Sequence, residues 1–160
     1  MREKILTFIE RNSRVEISEL AVLLGVDELT VANELKAMED EHIIAGYHTI
    51  INWDKISVEK VTALIEVRVT PQRDNGFDRV AERIYNYPEV NSVYLISGTC
   101  DLMVTIEGRT LREVATFVSE KLASIDSVLS TQTNFILKKY KDHGTVMAKP
   151  GKDERIPVMP

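Results

Sequence analysis

The sequence predicts an α+β protein built from two separate domains, and three observations support that fold class. Residues 1–45 carry apolar side chains at helical spacing and show no strand pattern. Residues 61–142 follow the order strand, helix, strand, strand, helix, strand. Between them, residues 46–60 combine a loose apolar pattern with turn residues, which predicts a connector strand and linker.

Three short helices are predicted in residues 1–45. The first covers about residues 1–12, and Ser18 is expected to be the N-cap of the second. Gly25 fits the C-terminal cap of that second helix, and Asp27 fits the N-cap of the third. Two compact helices joined by a Gly-containing turn, after a supporting helix, are typical of a helix-turn-helix. A plain three-helix bundle is the alternative that spacing alone leaves open.

The third helix would be the element that reads DNA in a helix-turn-helix. Its buried stripe is predicted at Val31, Leu35 and Met38. The residues predicted to face away from the core are Leu29, Asn33, Lys36 and Asp40. On such a face an Asn can hydrogen-bond an adenine edge and a Lys can contact a phosphate. A merely solvated outer face is the competing interpretation.

The element order of residues 61–142 predicts a ferredoxin-like βαββαβ domain, with four antiparallel strands and both helices on one face. The last strand is predicted from Val128 to Tyr140. Side chains expected to be buried include Ala63, Ile65, Val67 and Val69 on the first strand, Tyr85 on the first helix, and Leu111, Val114, Val118 and Leu122 on the second. The other sheet face is expected to keep apolar residues, which predicts a homodimer with sheets packed face to face.

A turn at Ser97–Leu102 joins the two middle strands. Gly98 is expected to supply backbone freedom there, and Asp101 to accept hydrogen bonds from local N–H groups. Free turn amides suit a carboxylate, and an Asp suits an ammonium group. The turn is therefore a candidate site for a small zwitterion, with an ordinary hairpin turn as the alternative.

Composition narrows the function classes. The chain has 160 residues and a net charge of −5, and its first 60 residues hold seven Lys and Arg against twelve Asp and Glu. All of the excess acid thus lies in the predicted DNA-reading half, which is unusual for a nucleic-acid binder. One cysteine and three scattered histidines predict no disulfide, no metal site and no cofactor.

The first and last residues of the chain support predictions about localisation and about a C-terminal tail. The chain opens on an amphipathic pattern without an apolar run long enough for a signal peptide or membrane span, so a cytoplasmic protein without a membrane partner is expected. Residues 143–160 lose all periodicity and are expected to form a mobile tail.

These residues together resemble the Lrp/AsnC, or feast/famine, transcription regulators over roughly residues 2–142. Four segments carry the resemblance. They are Gly25-Val26-Asp27-Glu28-Leu29-Thr30-Val31 before and into the third helix, Ile44-Ala45-Gly46-Tyr47 in the connector, the turn from Gly98 to Asp101, and Thr131-Gln132-Thr133-Asn134-Phe135-Ile136-Leu137-Lys138 in the last strand.

The resemblance implies a regulator that binds double-stranded DNA and is modulated by an amino-acid effector. It also implies a homodimer through the C-terminal sheets, with a tetramer or octamer left open. The residues implied to contact DNA are Leu29, Thr30, Asn33 and Lys36. Those implied to bind the effector are Gly98, Thr99 and Asp101, with Thr131 and Thr133 lining the pocket.

Some positions depart from the family pattern. Asn33-Glu34 replaces the usual Arg pair, His42 replaces a frequent Gly, and Cys100 occupies a position often aromatic or charged. Fewer cations predict a weaker phosphate grip and a smaller salt dependence. The alternative function is an amino-acid-sensing oligomer that has lost specific DNA binding. An enzyme is not expected, because no His neighbours a candidate nucleophile and Asp101 has no paired carboxylate.

Overall fold

The structure is a computed structural model that describes residues 1–70 and 76–147. The chain divides into two compact units, Met1–Ile51 and Asn52–Pro160. Within the described ranges no helix is both long enough and apolar enough to cross a membrane. Residues 71–75 and the part of the predicted tail beyond residue 147 lie outside the described residues.

The first unit contains α1 (Arg2–Arg11), α2 (Ile17–Leu24) and α3 (Glu28–Asp40). The predicted C-terminal cap of α2 is confirmed, because Gly25 adopts φ +69° and its N–H contacts the carbonyls of Ala21 and Val22. The prediction that Ser18 caps α2 is wrong. The N-cap is Glu16, whose extended backbone accepts the first helical hydrogen bond and whose side chain makes no capping bond.

A small core holds the three helices together. Its fully buried members are Ile5, Leu20, Ala21, Val31 and Met38, and Leu35 packs against them half-buried. The stripe predicted for α3 is therefore confirmed. Burying one face of each helix in this way supplies the stability that helices of eight to thirteen residues do not have alone.

The second unit is built on a four-stranded antiparallel sheet in the order β2-β3-β1-β4. This arrangement confirms the α+β class and the ferredoxin-like domain. The elements in chain order are β1 (Val61–Val69), α4 (Asp78–Tyr85), β2 (Val90–Leu95), β3 (Leu102–Gly108), α5 (Leu111–Phe117), which continues as a π-helical turn over Val118–Leu122, and β4 (Val128–Phe135).

Both helices pack on one sheet face. Among the described residues, thirteen form the buried core: Ala63, Ile65, Val67, Val69, Val80, Ile84, Leu102, Val104, Ile106, Val114, Phe117, Leu122 and Ile125. Two predicted core positions are wrong, because Leu111 is 57% and Tyr85 56% exposed. They are the first residue of α5 and the last of α4, where the helices overhang the core. Phe117 is buried on α5 instead.

The opposite sheet face is less apolar than predicted. Strand register places Leu64, Tyr94 and Met103 on it, and only Tyr94 of these is largely exposed. The remaining positions on this face are mostly polar or charged and include Glu66, Arg68, Thr105, Ser130, Gln132 and Asn134. A second copy packed against this face would therefore meet a mixed surface.

The chain after β4 also differs from the prediction. The strand ends at Phe135 and not at Tyr140, and β5 (Lys141–Asp142) pairs with β6 (Thr145–Val146) in a small hairpin. Residues 143–147 are therefore not an irregular tail. In the connector, residues 46–60 form no strand and contain one 3₁₀ turn, Trp53–Lys55.

Candidate functional site

The first candidate site is helix α3 with its N-terminal cap. The carboxylate of Asp27 accepts hydrogen bonds from the Thr30 backbone N–H at 2.8 Å and from the Thr30 hydroxyl at 2.6 Å. These two bonds lower the pKa of the Asp27 carboxyl below its ordinary value. The predicted cap is confirmed, and the bonds fix the first turn of α3.

Three of the four predicted DNA contacts lie on one exposed face of α3. Leu29 is 69% exposed, and Asn33 and Lys36 are exposed one and two turns further along. Asp40 ends the same face with a carboxylate. The structure places Thr30 differently, because it is half-buried and its hydroxyl is engaged by Asp27.

An ion-pair cluster on one flank of α3 was not predicted from the sequence. The Arg2 guanidinium donates from Nε to Glu34 at 2.7 Å, and from Nη1 and Nη2 to Glu41 at 2.8 and 3.0 Å. These bonds raise the pKa of Arg2 and lower that of the Glu41 carboxyl. Glu34, at a position where the resemblance implies an arginine, therefore has a cationic partner within the unit.

A hydrogen bond on another flank of α3 also escaped prediction. The Tyr47 hydroxyl donates to Glu39 Oε1 at 2.7 Å. Donation to this carboxylate, together with partial burial, raises the pKa of Tyr47 to about 12. Tyr47 stood out earlier only as part of the connector motif, and no signal in the sequence pairs it with Glu39.

The second candidate site is the turn between β2 and β3. Asp101 is half-buried, and its Oδ2 accepts from the Val69 backbone N–H at 2.9 Å. The Asp101 N–H also donates to the Val67 carbonyl at 3.1 Å. The predicted local bonding to turn amides is therefore wrong, since Asp101 instead ties the turn to the end of β1.

The remaining turn residues have mixed surroundings. Ser97, Gly98 and Thr99 are exposed, whereas Cys100 is 4% exposed. Gly98 is not among the described glycines with positive φ, and a Cβ there would meet nothing within 4 Å. The expectation that this turn needs the backbone freedom of glycine is thus wrong.

Thr131 and Thr133 lie on β4, opposite Val67 and Ile65 of β1. Directly paired residues share a face, so both threonines point to the side of the sheet covered by the helices. Strand β1 separates them from Asp101, so the distance from Thr131 to the turn is about two strand spacings, roughly 10 Å. Within one chain, the structure does not gather the five predicted effector residues around one cavity.

Two surface clefts lie elsewhere on the second unit. One, of about 510 Å³, is formed by residues 53–60, and the Lys60 ammonium lies 4.6 Å from the centre of the Trp53 ring. The other, of about 540 Å³, lies between the end of β3 and α5, and the Glu89–Lys121 ion pair borders it. Neither cleft is lined by Gly98, Thr99 or Asp101.

Comparison with known proteins places this architecture in a family. Residues 62–146 match the family model of the Lrp/AsnC ligand binding domain. Over 158 residues the chain is 47% identical to YugG of Bacillus subtilis, named an uncharacterized HTH-type transcriptional regulator, with 98% of this chain and 95% of the relative covered. It is 33% identical over 141 residues to the HTH-type transcriptional regulator LrpA of Pyrococcus horikoshii, covering 88% and 97%.

A solved structure has the same fold. The transcriptional regulator NMB0573 of Neisseria meningitidis, in complex with L-Met, superposes with a TM-score of 0.70 at 23% identity, covering 91% of this chain and 93% of that one. The family model covers most of the second unit, and both relatives, which span nearly the whole chain, are named HTH-type regulators. The chain therefore belongs to the Lrp/AsnC family of transcriptional regulators.

Proposed function

We propose that this chain binds double-stranded DNA through the outer face of α3 and is modulated by a small amino-acid effector. The observation that carries the proposal is the separation of charge around α3. The face bearing Leu29, Asn33 and Lys36 is exposed, whereas the carboxylates of Glu34 and Glu39 have partners within the unit.

The position of the charges around α3 explains how a domain with an excess of acidic residues could still bind DNA. A net excess of acid in the first 60 residues weakens DNA binding only where the carboxylates face the duplex. Arg2 pairs with Glu34 and Glu41 and so offsets part of the negative charge on that flank. Glu39 keeps its charge, but the Tyr47 hydroxyl holds it at the edge of the outer face, three residues from Lys36. The exposed acid on the outer face itself is Asp40, in the last turn of α3.

Each proposed contact has a definite chemical role. Asn33 can pair with an adenine edge in the major groove, and Leu29 can meet a thymine methyl group. Lys36 can contact a phosphate. Thr30 takes part in the proposal only as the residue that fixes the start of the helix, because its hydroxyl already donates to Asp27.

The test is a titration of a duplex selected from a random library, followed by fluorescence anisotropy at several salt concentrations. We expect Lys36→Ala to lower the slope of log affinity against log salt by about 1, and to weaken binding to all duplexes alike. Asn33→Ala should cost about 1–3 kcal/mol on the selected duplex only.

Lys4→Ala is the matched control, because it removes an exposed lysine from α1 of the same unit. It should leave the salt slope unchanged. A wild-type chain that selects no duplex, yet binds an amino acid, would instead indicate a sensor without specific DNA binding.

The effector half of the proposal rests on the turn at residues 97–101. The exposed backbone of Gly98 and Thr99 can offer N–H groups to a carboxylate, and Asp101 retains one oxygen beyond its bond to Val69. Because Thr131 and Thr133 are separated from this turn by β1, we propose that a second copy of the chain completes the pocket in a homodimer or larger assembly. The proposed setting is the cytoplasm, and the function includes no catalysis.

A thermal-shift titration tests the effector, with L-methionine as the first probe because the related NMB0573 structure holds L-Met. Binding to the folded form should raise the melting temperature. Asp101→Asn should abolish that rise, since an amide oxygen can still accept from Val69 but carries no charge for an ammonium. A rise that survives Asp101→Asn would remove Asp101 from the site.

A further inference from the structure

Helix α3 is held on two well-separated flanks by residues from outside the helix. Arg2 binds Glu34 and Glu41 on one flank, and Tyr47 binds Glu39 on the other. At 100° per residue, Glu39 lies roughly 140° around the helix axis from Glu34. Two contacts placed so far apart restrain the helix against rotation about its own axis.

Tyr47 differs from Arg2 because it belongs to the connector. The chain leaves α3 through a tight turn, in which the N–H groups of Ile43 and Ile44 both donate to the Met38 carbonyl, at 2.9 and 3.1 Å. His42 adopts φ +57° within this turn. Residues 45–52 then contain no helix or strand, and from within this stretch Tyr47 reaches back to α3.

The Tyr47 hydroxyl therefore fixes the connector relative to the face of α3 that carries Asn33 and Lys36. Glu39 and Lys36 are three residues apart on the same helix, so they are neighbours along its surface. A pull on the connector reaches α3 through this hydrogen bond as well as through the backbone. Recognition of base edges requires side chains held to within a fraction of an ångström, so a small rotation matters.

We propose that Tyr47 is a positioning residue through which the connector sets the orientation of α3 and hence its discrimination between duplexes. This inference rests on the proposed DNA-binding function. The Tyr47 side chain is 52% exposed and lies outside the five-residue core of the first unit. Removing its hydroxyl leaves the ring and the core packing in place, so the consequence appears in recognition more than in folding.

The experiment compares Tyr47→Phe with the wild type as full-length chains. Two dissociation constants are measured, one for a duplex selected by the wild type from a random library and one for an unrelated duplex of equal length. We define the discrimination ratio as the dissociation constant for the unrelated duplex divided by that for the selected duplex. We expect Tyr47→Phe to lower this ratio roughly fivefold, which corresponds to about 1 kcal/mol, the net contribution typical of one intramolecular hydrogen bond. The melting temperature should stay close to that of the wild type.

Two further sets of variants separate positioning from a general effect of losing a hydroxyl. Tyr85→Phe makes the same change at an exposed tyrosine of α4 and should leave the ratio unchanged. Glu39→Gln keeps an acceptor oxygen, so its discrimination ratio should stay close to that of the wild type. Glu39→Ala should lower the discrimination ratio as much as Tyr47→Phe does. Because both partners act through one bond, the double variant Tyr47→Phe/Glu39→Ala should lose no more than either single variant.

The outcomes are distinct. A wild-type ratio retained in Tyr47→Phe overturns the inference while leaving the proposed function intact. A ratio that falls only in step with a large drop in melting temperature also overturns it, because Tyr47 would then act through folding alone. A wild-type chain that shows no discrimination at all contradicts the proposed function itself, and the inference falls with it.

Discussion

The two units of this chain are stabilised in different ways. In the parts of the chain that the structure describes, the second unit buries thirteen core residues between a four-stranded sheet and two helices, whereas the first buries five among three short helices. With so small a core, the first unit fixes α3, the helix proposed to contact DNA, with polar contacts at the surface from Asp27, Arg2 and Tyr47. In the second unit, a hydrogen bond from the Val69 N–H to Asp101 fixes the turn proposed to bind the effector against the sheet.

This comparison shows where each proposed site is vulnerable. Surface contacts between charged groups weaken with salt and with acid, and each contributes little by itself. The turn in the second unit is held by a half-buried carboxylate that accepts a hydrogen bond from a strand N–H. Removing that acceptor leaves the N–H unpaired, and this is the change expected to destabilise the turn most. The orientation of α3 should therefore be easier to perturb by solution conditions than the turn that carries Asp101.

The largest expected effect is a loss of folding stability when a core residue of either unit is truncated. Ile5 and Ile65 are both fully buried, one in each unit. We expect Ile5→Ala and Ile65→Ala each to lower the free energy of unfolding by about 2–5 kcal/mol. Because the first unit has few other core contacts, Ile5→Ala should unfold it while the second unit stays folded.

Hydrogen exchange followed by mass spectrometry distinguishes the two variants. In Ile5→Ala, peptides from residues 1–51 should lose protection while those from the sheet keep it. Equal loss of protection in both regions would show that the units do not fold as separately as their cores suggest.

A smaller effect is expected at the turn. Asp101→Ala leaves the Val69 N–H without its acceptor and should lower the free energy of unfolding by about 1–3 kcal/mol. Asp101→Asn keeps an acceptor and should have little effect. Urea unfolding of the two variants measures the difference, and equal destabilisation by both would mean that the charge, not the hydrogen bond, is what matters.

The smallest effect concerns pH in the first unit. Hydrogen bonds lower the pKa of Glu41 and of Asp27 from their ordinary values of 4.5 and 3.8. A carboxyl whose pKa is depressed on folding stabilises the fold above its unfolded pKa, and that contribution disappears as the pH falls through the folded value. The first unit should therefore begin to lose stability as the pH drops below about 4.5.

Circular dichroism melts between neutral pH and pH 3 would follow this loss. The matched control is Arg2→Ala, which removes the partner of Glu41 and should flatten the part of the pH dependence that Glu41 supplies. An unaltered pH profile in Arg2→Ala would argue that the ion pair contributes nothing to folding.

The sequence predicted best what depends on near neighbours in the chain. Gly25 and Asp27 cap their helices as expected, and the Glu113 N–H donates to Thr110 at the start of α5. Thr110 and Glu113 have the spacing of a capping box, in which the Glu side chain usually accepts from the N–H of the N-cap residue. Here the Glu113 carboxylate accepts from the N–H of Arg109, one residue earlier. Local geometry determines such contacts, so a short stretch of sequence is enough to predict them.

Contacts between residues far apart in the chain were not predictable in the same way. Arg2 meets Glu34 across 32 residues, and Asp101 meets Val69 across the same separation. Both depend on how helices and strands pack, which periodicity does not encode. Strand register likewise determines that Thr131 and Thr133 lie on the sheet face covered by the helices. The sequence motif that contains these two threonines does not indicate which face of the sheet they occupy.

The central claim is that the outer face of α3, and not its acidic flank, contacts DNA. Photo-crosslinking tests it most directly, with a photoreactive phenylalanine placed at position 33 or at position 41 in otherwise unchanged full-length chains and the selected duplex as partner. The account predicts strong crosslinking from position 33 and little from position 41. Equal crosslinking from both positions, or none from position 33 by a chain that still binds the duplex, would contradict it.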